Sequence, residues 1–534
     1  IRDQPRSRGL GDVYKRQDII QELRKGSIRS KKDLHRTKIK LCKLYNLSKI
    51  PPDSEILKRL PEDMKKDDIL EILRKKPART ASGVTVVAVM TSPEKCPHGR
   101  CKPCPGGIEV NTPQSYTGFE PAAMRAINNN FDPFLQTRNR IEQIEEIGHA
   151  VDKIDFIVMG GTFMARDPFY REWFIKRCFD GMNNSDSKDL EEAKRKNERA
   201  RSRCIGLTIE TRPDWCRMNH IEDMLRYGAT RVEIGVQTVF DSVLDKMGRG
   251  HTVYDSILAT RLAKDAGLKV CYHMMPGLPG SDLDMDLEAF RTIFEDSRFK
   301  PDMLKIYPTL VIKGTELYEM WKRGEYKPLE TSEVIELLCK VKSMIPEWIR
   351  IQRIERDVPS NRIEAGIKES NLRQIVRNEM EKRGLRCKCI RCREIGFTDR
   401  EFDPNNLKVH RTDYTASDGE EVFLSFEDRE NGVLLGYLRL RLPGNPYIKE
   451  LSEERSMIIR ELKVVGREIE IGERSDLAIQ HRGIGKMLVR EAERIAKEDF
   501  DCEKILVLSG VGVKEYYRKL GYRDDGFYLS KILK

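Results

Sequence analysis

The sequence predicts an α/β chain in which a parallel sheet, forming part or all of a barrel, precedes a smaller α+β domain. Three observations predict it. Strand patterns rich in β-branched residues alternate with helical patterns from Val84 to about residue 350. A cysteine-rich run, GLRCKCIRCREIG at 384–396, interrupts the alternation. Beyond it, strand patterns follow one another before a long helical pattern. Alternating strands and helices build parallel sheets, whose sites lie at the carboxyl ends of the strands.

The chain of 534 residues exceeds one hydrophobic core, so two to four domains are expected. No apolar run approaches the roughly 18 residues that cross a bilayer, and no signal-peptide pattern is visible. A cytoplasmic protein without membrane contact is expected. Residues 1–17, IRDQPRSRGLGDVYKRQ, lack periodicity and read as a translated adapter fragment or a disordered basic tail. They are set aside. The formal charge is +11, and residues 24–49 hold ten Lys or Arg against Asp33 alone. Such a block reads as a footprint for nucleic acid or as a solvated helical face. Reversing Lys31, Lys32 and Lys38 is expected to separate the two readings.

Residues 18–80 read as a basic segment of short amphipathic helices, broken at Pro51–Pro52 and Pro61. The sheet domain is expected over 81–380. Its strands are predicted at Val84–Met90, Phe156–Met159, Ile205–Ile209, Arg231–Val236, Lys269–His273 and Met303–Tyr307. Helical period covers Phe134–Gly148, Asp214–Tyr227, Val253–Ala266 and Leu283–Phe294. A linker spans 381–396. The second domain, 397–534, has strands predicted at 421–426, 434–441, 457–464 and 504–509. Its long helix runs from Gly485 to about Glu498.

Cys96, Cys101 and Cys104 form Cys-x4-Cys-x2-Cys directly after the first strand. Three thiolates on one loop can hold three irons of a [4Fe–4S] cluster and leave the fourth open. The open iron can chelate S-adenosylmethionine and reduce it to a 5′-deoxyadenosyl radical. A zinc knuckle with His98 as fourth ligand is the other reading. The cluster is preferred because a glycine turn, Gly160–Gly161, follows the next strand, where its backbone can meet the methionine amino group.

Gln480-His-Arg-Gly-Ile-Gly-Lys486 fits Gln/Arg-x-x-Gly-x-Gly/Ala between a strand and a helix. Gly483 and Gly485 let backbone N–H groups approach a pyrophosphate, and the helix N-terminus favours it. The loop looks like that of the GNAT acetyltransferases, which bind acetyl-CoA. SGVGVKEYYRKLGY (509–522) resembles their late strand and helix, where a tyrosine sits by the thioester. Tyr516 and Tyr517 are the candidates, with core packing as their other reading. Cys387, Cys389 and Cys392 suit a structural zinc that lacks one ligand.

The combination resembles the catalytic subunit of Elongator, a radical-SAM/acetyltransferase family acting on wobble uridine in tRNA. The resemblance runs from about residue 75 to residue 534. It is carried by RTASGVTVVAVMTSP (79–93), CPHGRCKPCPGG (96–107), VDKIDFIVMGGTFM (151–164), GLTIETRPDWC (206–216), RVEIGVQTVFD (231–241) and PDMLKIYPTLVIKGTELY (301–318). It implies that the radical takes hydrogen from the acetyl methyl, that the acetyl radical adds to carbon 5 of the uridine, and that hydrolysis leaves 5-carboxymethyluridine. It also implies that Lys153, Glu461, Leu462, Lys463, Val464, Ile484, Gly485, Lys486 and Tyr517 contact acetyl-CoA, and that the anticodon stem-loop is the partner. The short Cys-x4-Cys loop is archaeal in type and suggests a stand-alone enzyme. Accessory subunits are then not required, and a homodimer stays open. A protein lysine acetyltransferase is the alternative, but it leaves the iron–sulfur half without work.

Overall fold

The computed structural model describes residues 16–45, 49–64, 67–75, 80, 82–398, 400–466 and 483–533. Gln480 and residues 1–15 lie outside the described residues.

The amino-terminal segment is helical already at Arg16, which ion-pairs with Glu55. Arg16 and Gln17 therefore belong to the first helix, not to the segment set aside with residues 1–15. The small core of this segment includes Ile19, Leu23, Leu34, Leu41, Ile56 and Leu73. The helix Lys31–Leu44 is capped by Ser30, whose hydroxyl accepts from the Asp33 N–H. One expectation fails here. Lys38 is buried, donates to the Pro51 carbonyl at 2.8 Å and pairs with Asp53. Helical period puts Lys38 on the inward face with Leu34 and Leu41. The outward face carries Lys32, Arg36, Lys40 and Lys43, all exposed.

The first sheet is parallel, in the order β1 (Thr85–Met90), β2 (Lys153–Met159), β3 (Arg203–Thr211), β4 (Arg231–Gln237), β5 (Lys269–Met274), β6 (Met303–Ile306) and, past the two-residue β7 (Val311–Ile312), β8 (Arg350–Arg353). β7 pairs instead with β9 (Ile363–Ala365). β1 and β8 do not pair with each other, so the sheet curls into a partial barrel with an open seam. Helices such as Pro133–Glu146, Pro168–Asn183 and Val253–Asp265 cover its outer face. Val87, Val89, Ile154, Phe156 and Val232 pack against them.

The second sheet has the order β10 (Lys408–Ala416), β11 (Gly419–Asp428), β12 (Val433–Leu442), β13 (Ser456–Val464), β14 (Lys504–Val507), then β16 (Tyr528–Ile532) before β15 (Arg523–Asp525). β13 and β14 are parallel, whereas the other neighbouring pairs are antiparallel. They pair only from Ser456↔Lys504 to Ile459↔Val507. Beyond that point they part, and the gap opens beside residues 461–464. The helix Ile484–Glu498 packs Ile484, Leu488 and Ala492 on one face of this sheet.

The second domain presses on the amino-terminal ends of the first sheet's strands. A Cβ on Gly510 would lie 2.0 Å from the Ile205 carbonyl oxygen, so only glycine allows this contact with β3. Buried ion pairs complete the interface. Arg441 reaches Asp265 at 2.5 Å, and Lys264 reaches Glu421 at 3.0 Å. Both domains therefore meet through a layer of buried, ion-paired charges.

Candidate active site

The three cysteines lie at the carboxyl ends of the strands, on the loop after β1. Cys101 and Cys104 are buried and Cys96 is half-buried. Burial pushes the Cys96 and Cys104 thiols up. The loop is pinned at several points. The Cys96 N–H donates to Gln114 Oε1 at 2.9 Å, and the Ser115 N–H donates to Cys104 Sγ at 3.1 Å. His98 Nε2 lies 3.0 Å from Cys101 Sγ, and Arg249 Nη1 donates to the same sulfur at 3.7 Å. Gly160 has φ +121° and lies against Thr91, whose hydroxyl donates to the Gly160 carbonyl at 3.0 Å. This places Gly161 beside Cys96: a Cβ there would be 3.9 Å from the sulfur.

Sulfur spacing separates the two metal readings. Tetrahedral zinc with bonds of about 2.3 Å needs sulfurs about 3.8 Å apart. Among the described residues, two sets of three or more donors keep all their ligand atoms within 4.8 Å of one another: Cys387/Cys389/Cys392 and Glu233/Cys271/His273. Cys96, Cys101 and Cys104 are not such a set. Thiolates on separate irons of a cluster sit farther apart, so the loop fits a [4Fe–4S] cluster and not a zinc knuckle. The linker set does have zinc spacing, with Lys342 Nζ 3.6 Å from Cys392 Sγ. In the remaining set, Lys305 already pairs with Glu233 and supplies the positive charge there.

Inside the barrel, side chains at alternate positions face the lumen. Arg231, Glu233, Gly235 and Gln237 do so from β4. Glu233 accepts from His273 Nε2 at 2.9 Å and pairs with Lys305. Lys305 also reaches Glu210 at 3.4 Å, and the Tyr116 hydroxyl donates to Glu210 at 2.9 Å. Burial alone would raise the Glu233 carboxyl, but Lys305, His273 and Arg231 outweigh it and hold it well below the usual range. Gln237 combines φ +72° with a buried, unpartnered Oε1. Strain and an unsatisfied acceptor in one residue mark a ligand-facing position.

At the other end lies β13. Glu461 accepts from Arg439 Nε at 2.8 Å and from the Tyr437 hydroxyl at 3.0 Å. Leu462 faces the opposite way, 3.7 Å from a Cβ built on Gly485. Tyr517 is buried and lines the cavity, and burial raises its phenol. Tyr516 is 38% exposed, and its hydroxyl would lie 2.8 Å from a Cβ on Gly485, so it packs on the glycine loop. Gly483 caps the helix with φ +77°. Gly483 and Lys486, at the helix N-terminus, line a groove that runs along the helix past Arg490, Glu491 and Arg494, the last paired with Glu491 and Glu498. Lys153 opens β2 at this same end of the barrel, outside the cavity lining.

One continuous cavity of about 800 Å³ joins these ends. Cys96, Cys101 and Cys104 line it, as do Glu461, Leu462, Lys463, Ser509 and Tyr517. Along the open seam it is bordered by Arg125 and Arg140 near β1 and by Arg353, Arg356 and Arg391 near β8. Val86 on the β1 edge is 40% exposed, as an open seam requires. Arg356 donates across the seam to the Ser115 carbonyl, and Arg391 stacks on Phe397 at 3.8 Å. Glu233, Lys305, Arg249 and the seam arginines were not singled out in the sequence. The signal available was charge at alternate positions of a strand, as in Arg231-x-Glu233.

Comparison with known proteins agrees with this arrangement. Family models match the ELP3 N-terminal domain at 15–81, the Radical SAM superfamily at 90–293, the Radical_SAM C-terminal domain at 301–382 and the acetyltransferase (GNAT) family at 390–522. A tRNA uridine(34) acetyltransferase of Methanocaldococcus infernus is 53% identical over 96% of this chain and 98% of its own. Elongator complex protein 3 of Homo sapiens is 44% identical over 97% and 96%. The solved structure of Methanocaldococcus infernus Elp3 with an N-terminal deletion superposes with a TM-score of 0.76 at 51% identity, covering 85% of this chain and all of that one. A cysteine loop and the parted strand β13 that open on one lumen are what a radical SAM sheet fused to a GNAT domain produces, and the chain belongs to the Elongator complex protein 3 family.

Proposed function

We propose that this chain modifies the wobble uridine of tRNA, building 5-carboxymethyluridine from acetyl-CoA. The observation that carries the reading is the single cavity that reaches from Cys96, Cys101 and Cys104 to Glu461–Lys463 and Tyr517. When bound, the cluster and S-adenosylmethionine supply a carbon-centred radical, and acetyl-CoA supplies the two-carbon unit. The three cysteines hold the cluster, and Gly160, Gly161 and Gln237 flank the place for S-adenosylmethionine. Residues 461–464 and Gly483–Lys486 hold acetyl-CoA, with Tyr517 beside the thioester. The Glu210–Lys305–Glu233–His273 network lines the lumen between them with fixed donors and acceptors. The seam arginines suit the phosphates of an anticodon loop, and the exposed stripe on Lys31–Leu44 suits the rest of the tRNA.

Zinc on Cys387, Cys389 and Cys392 belongs to the same proposal, as do a cytoplasmic setting, independence from accessory subunits and an open homodimeric state. No described helix is long and apolar enough to cross a membrane. The lysine acetyltransferase alternative is disfavoured because residues 461–463 line the same cavity as the cysteines. The test is an anaerobic incubation of cluster-reconstituted protein with tRNA, S-adenosylmethionine, reductant and labelled acetyl-CoA. Label on the wobble uridine is expected. Label on protein substrates with no need for the cluster would overturn the reading.

A further inference from the structure

We propose that Lys463 is a self-acetylation site: with no RNA in the lumen, its amine takes the acetyl group of bound acetyl-CoA. The inference rests on acetyl-CoA being seated along β13, as proposed above.

The placement follows from the strand. β13 and β14 stop pairing after Ile459 and Val507, so the gap between them opens beside residues 461–464. A thioester held along these residues projects through that gap. Side chains alternate across a strand. Leu462 leans toward Gly485 and the helix while Glu461 turns to Arg439 and Tyr437, and Lys463 with both of them lines the cavity where the gap opens. The lysine stem is thus on the strand proposed to carry the cofactor and lines the cavity into which the gap opens.

The carboxylates of Glu394, Glu461 and Asp155 face the amine and favour its charged form, but burial and the Arg350 guanidinium outweigh them. Each of these carboxylates also has an arginine beside it, and Asp155 has Arg231 at 3.3 Å. Glu461 is held by Arg439 and Tyr437. Glu394 is held by Arg350 at 2.7 Å. Burial, with the Arg350 guanidinium beside it, pushes the Lys463 pKa down. This is the environment that turns a lysine into a nucleophile: desolvated and next to another cation. Lys486, exposed on the far side of the loop, has none of these features.

The step balances without another reagent. The neutral amine attacks the thioester carbonyl. A C–N bond forms, the C–S bond breaks, and the sulfur leaves with the bonding electrons. The proton lost by the amine goes to that sulfur, giving free coenzyme A and a neutral amide on Lys463. A uridine in the lumen would compete for the same acetyl group, so RNA should suppress the reaction.

The experiment uses the full-length protein with isotope-labelled acetyl-CoA and no tRNA or S-adenosylmethionine, followed by digestion and peptide mass mapping. The expected result is one acetyl increment on the peptide holding Lys463, approaching one per chain and reduced by added tRNA. Lys463→Arg should lose that increment. Acetyl-CoA binding is measured in parallel by calorimetry. Binding without label at Lys463, or equal labelling of Lys486, overturns this assignment alone. Absence of binding overturns both this assignment and the reading it rests on.

Discussion

Arg460 on β13 forks onto Asp302, just before β6, with Nη1 to Oδ1 at 3.0 Å and Nη2 to Oδ2 at 2.5 Å. Neither side chain is exposed to solvent. The same strand continues into Glu461–Val464, so this pair ties the acetyl-CoA strand to the barrel. Burial would raise the Asp302 carboxyl, but Arg460, Lys264 and Arg439 outweigh it and keep it ionised far below the usual range.

Removing Arg460 takes the nearest cation from buried Asp302 and a partner at 2.9 Å from Glu421, leaving Lys264 and Arg439 at 3.6 Å from Asp302, and breaking a buried pair in this way costs about 3 to 5 kcal/mol. Arg460→Met is expected to lower stability by that order in chemical denaturation. Arg460→Met with Asp302→Leu should recover part of the loss, because the two opposite charges leave together while Glu421, Lys264 and the Val270 N–H each lose a partner. A single variant that costs under about 1 kcal/mol would mean that solvent screens the pair.

Asp286 gives a pH prediction with a definite sign. It accepts from the Gly277 N–H at 2.6 Å and from the Ser281 hydroxyl at 2.7 Å, holding the turn after β5. Burial nevertheless pushes its pKa up to about 6. The folded state therefore holds this proton more tightly than the unfolded chain, whose value is near 3.9. The contribution is complete below about pH 4 and is lost as pH rises through about 6. Asp286→Asn should gain thermal stability relative to the parent over that window. A difference between the two that stays flat from pH 4 to 7 would refute the assignment.

The parts of this structure that were legible in the sequence share one cause: they repeat or carry chemistry in a short window. The Cys-x4-Cys-x2-Cys loop, the Gly-x-Gly loop and the β-branched strands of the barrel are of this kind. β8 was missed because Arg-Ile-Gln-Arg reads as charged turn, although its arginines serve the lumen and the interface. Lys38 was misplaced because composition counts charges without assigning them to helix faces. The glycines of SGVGV belong to a recognisable motif, yet the contact of Gly510 with the Ile205 carbonyl depends on a residue some three hundred positions away. Such pairings have no local trace.

Cys101→Ser tests the cluster independently of fold. The sulfur meets His98 and Arg249, so the hydroxyl should be tolerated sterically. Iron content and the cluster's visible absorbance should fall sharply, and uridine modification should cease. Affinity for tRNA should remain, since Cys101 lies away from the basic helix. Full activity in this variant would remove the three cysteines from the mechanism.

The exposed stripe Lys32, Arg36, Lys40 and Lys43 yields a sharper RNA test than the block's total charge. These positions recur at intervals of four, four and three on one face of Lys31–Leu44, and none of them is among the residues that the helix buries. Each cation that neutralises a phosphate releases a condensed counterion, which contributes about 0.7 to 0.9 to the slope of log affinity against log salt. Reversing Lys32, Arg36 and Lys40 together should therefore flatten that slope by about 2 to 3 and weaken tRNA binding most at low salt. Lys38→Glu is the control with a different signature. It breaks a buried pair with Asp53, so it should destabilise the segment in a melt, and any loss of tRNA binding should follow from that. An unchanged slope after the triple reversal, with the fold intact, would return the stripe to a solvated face and leave the seam arginines as the main phosphate contacts.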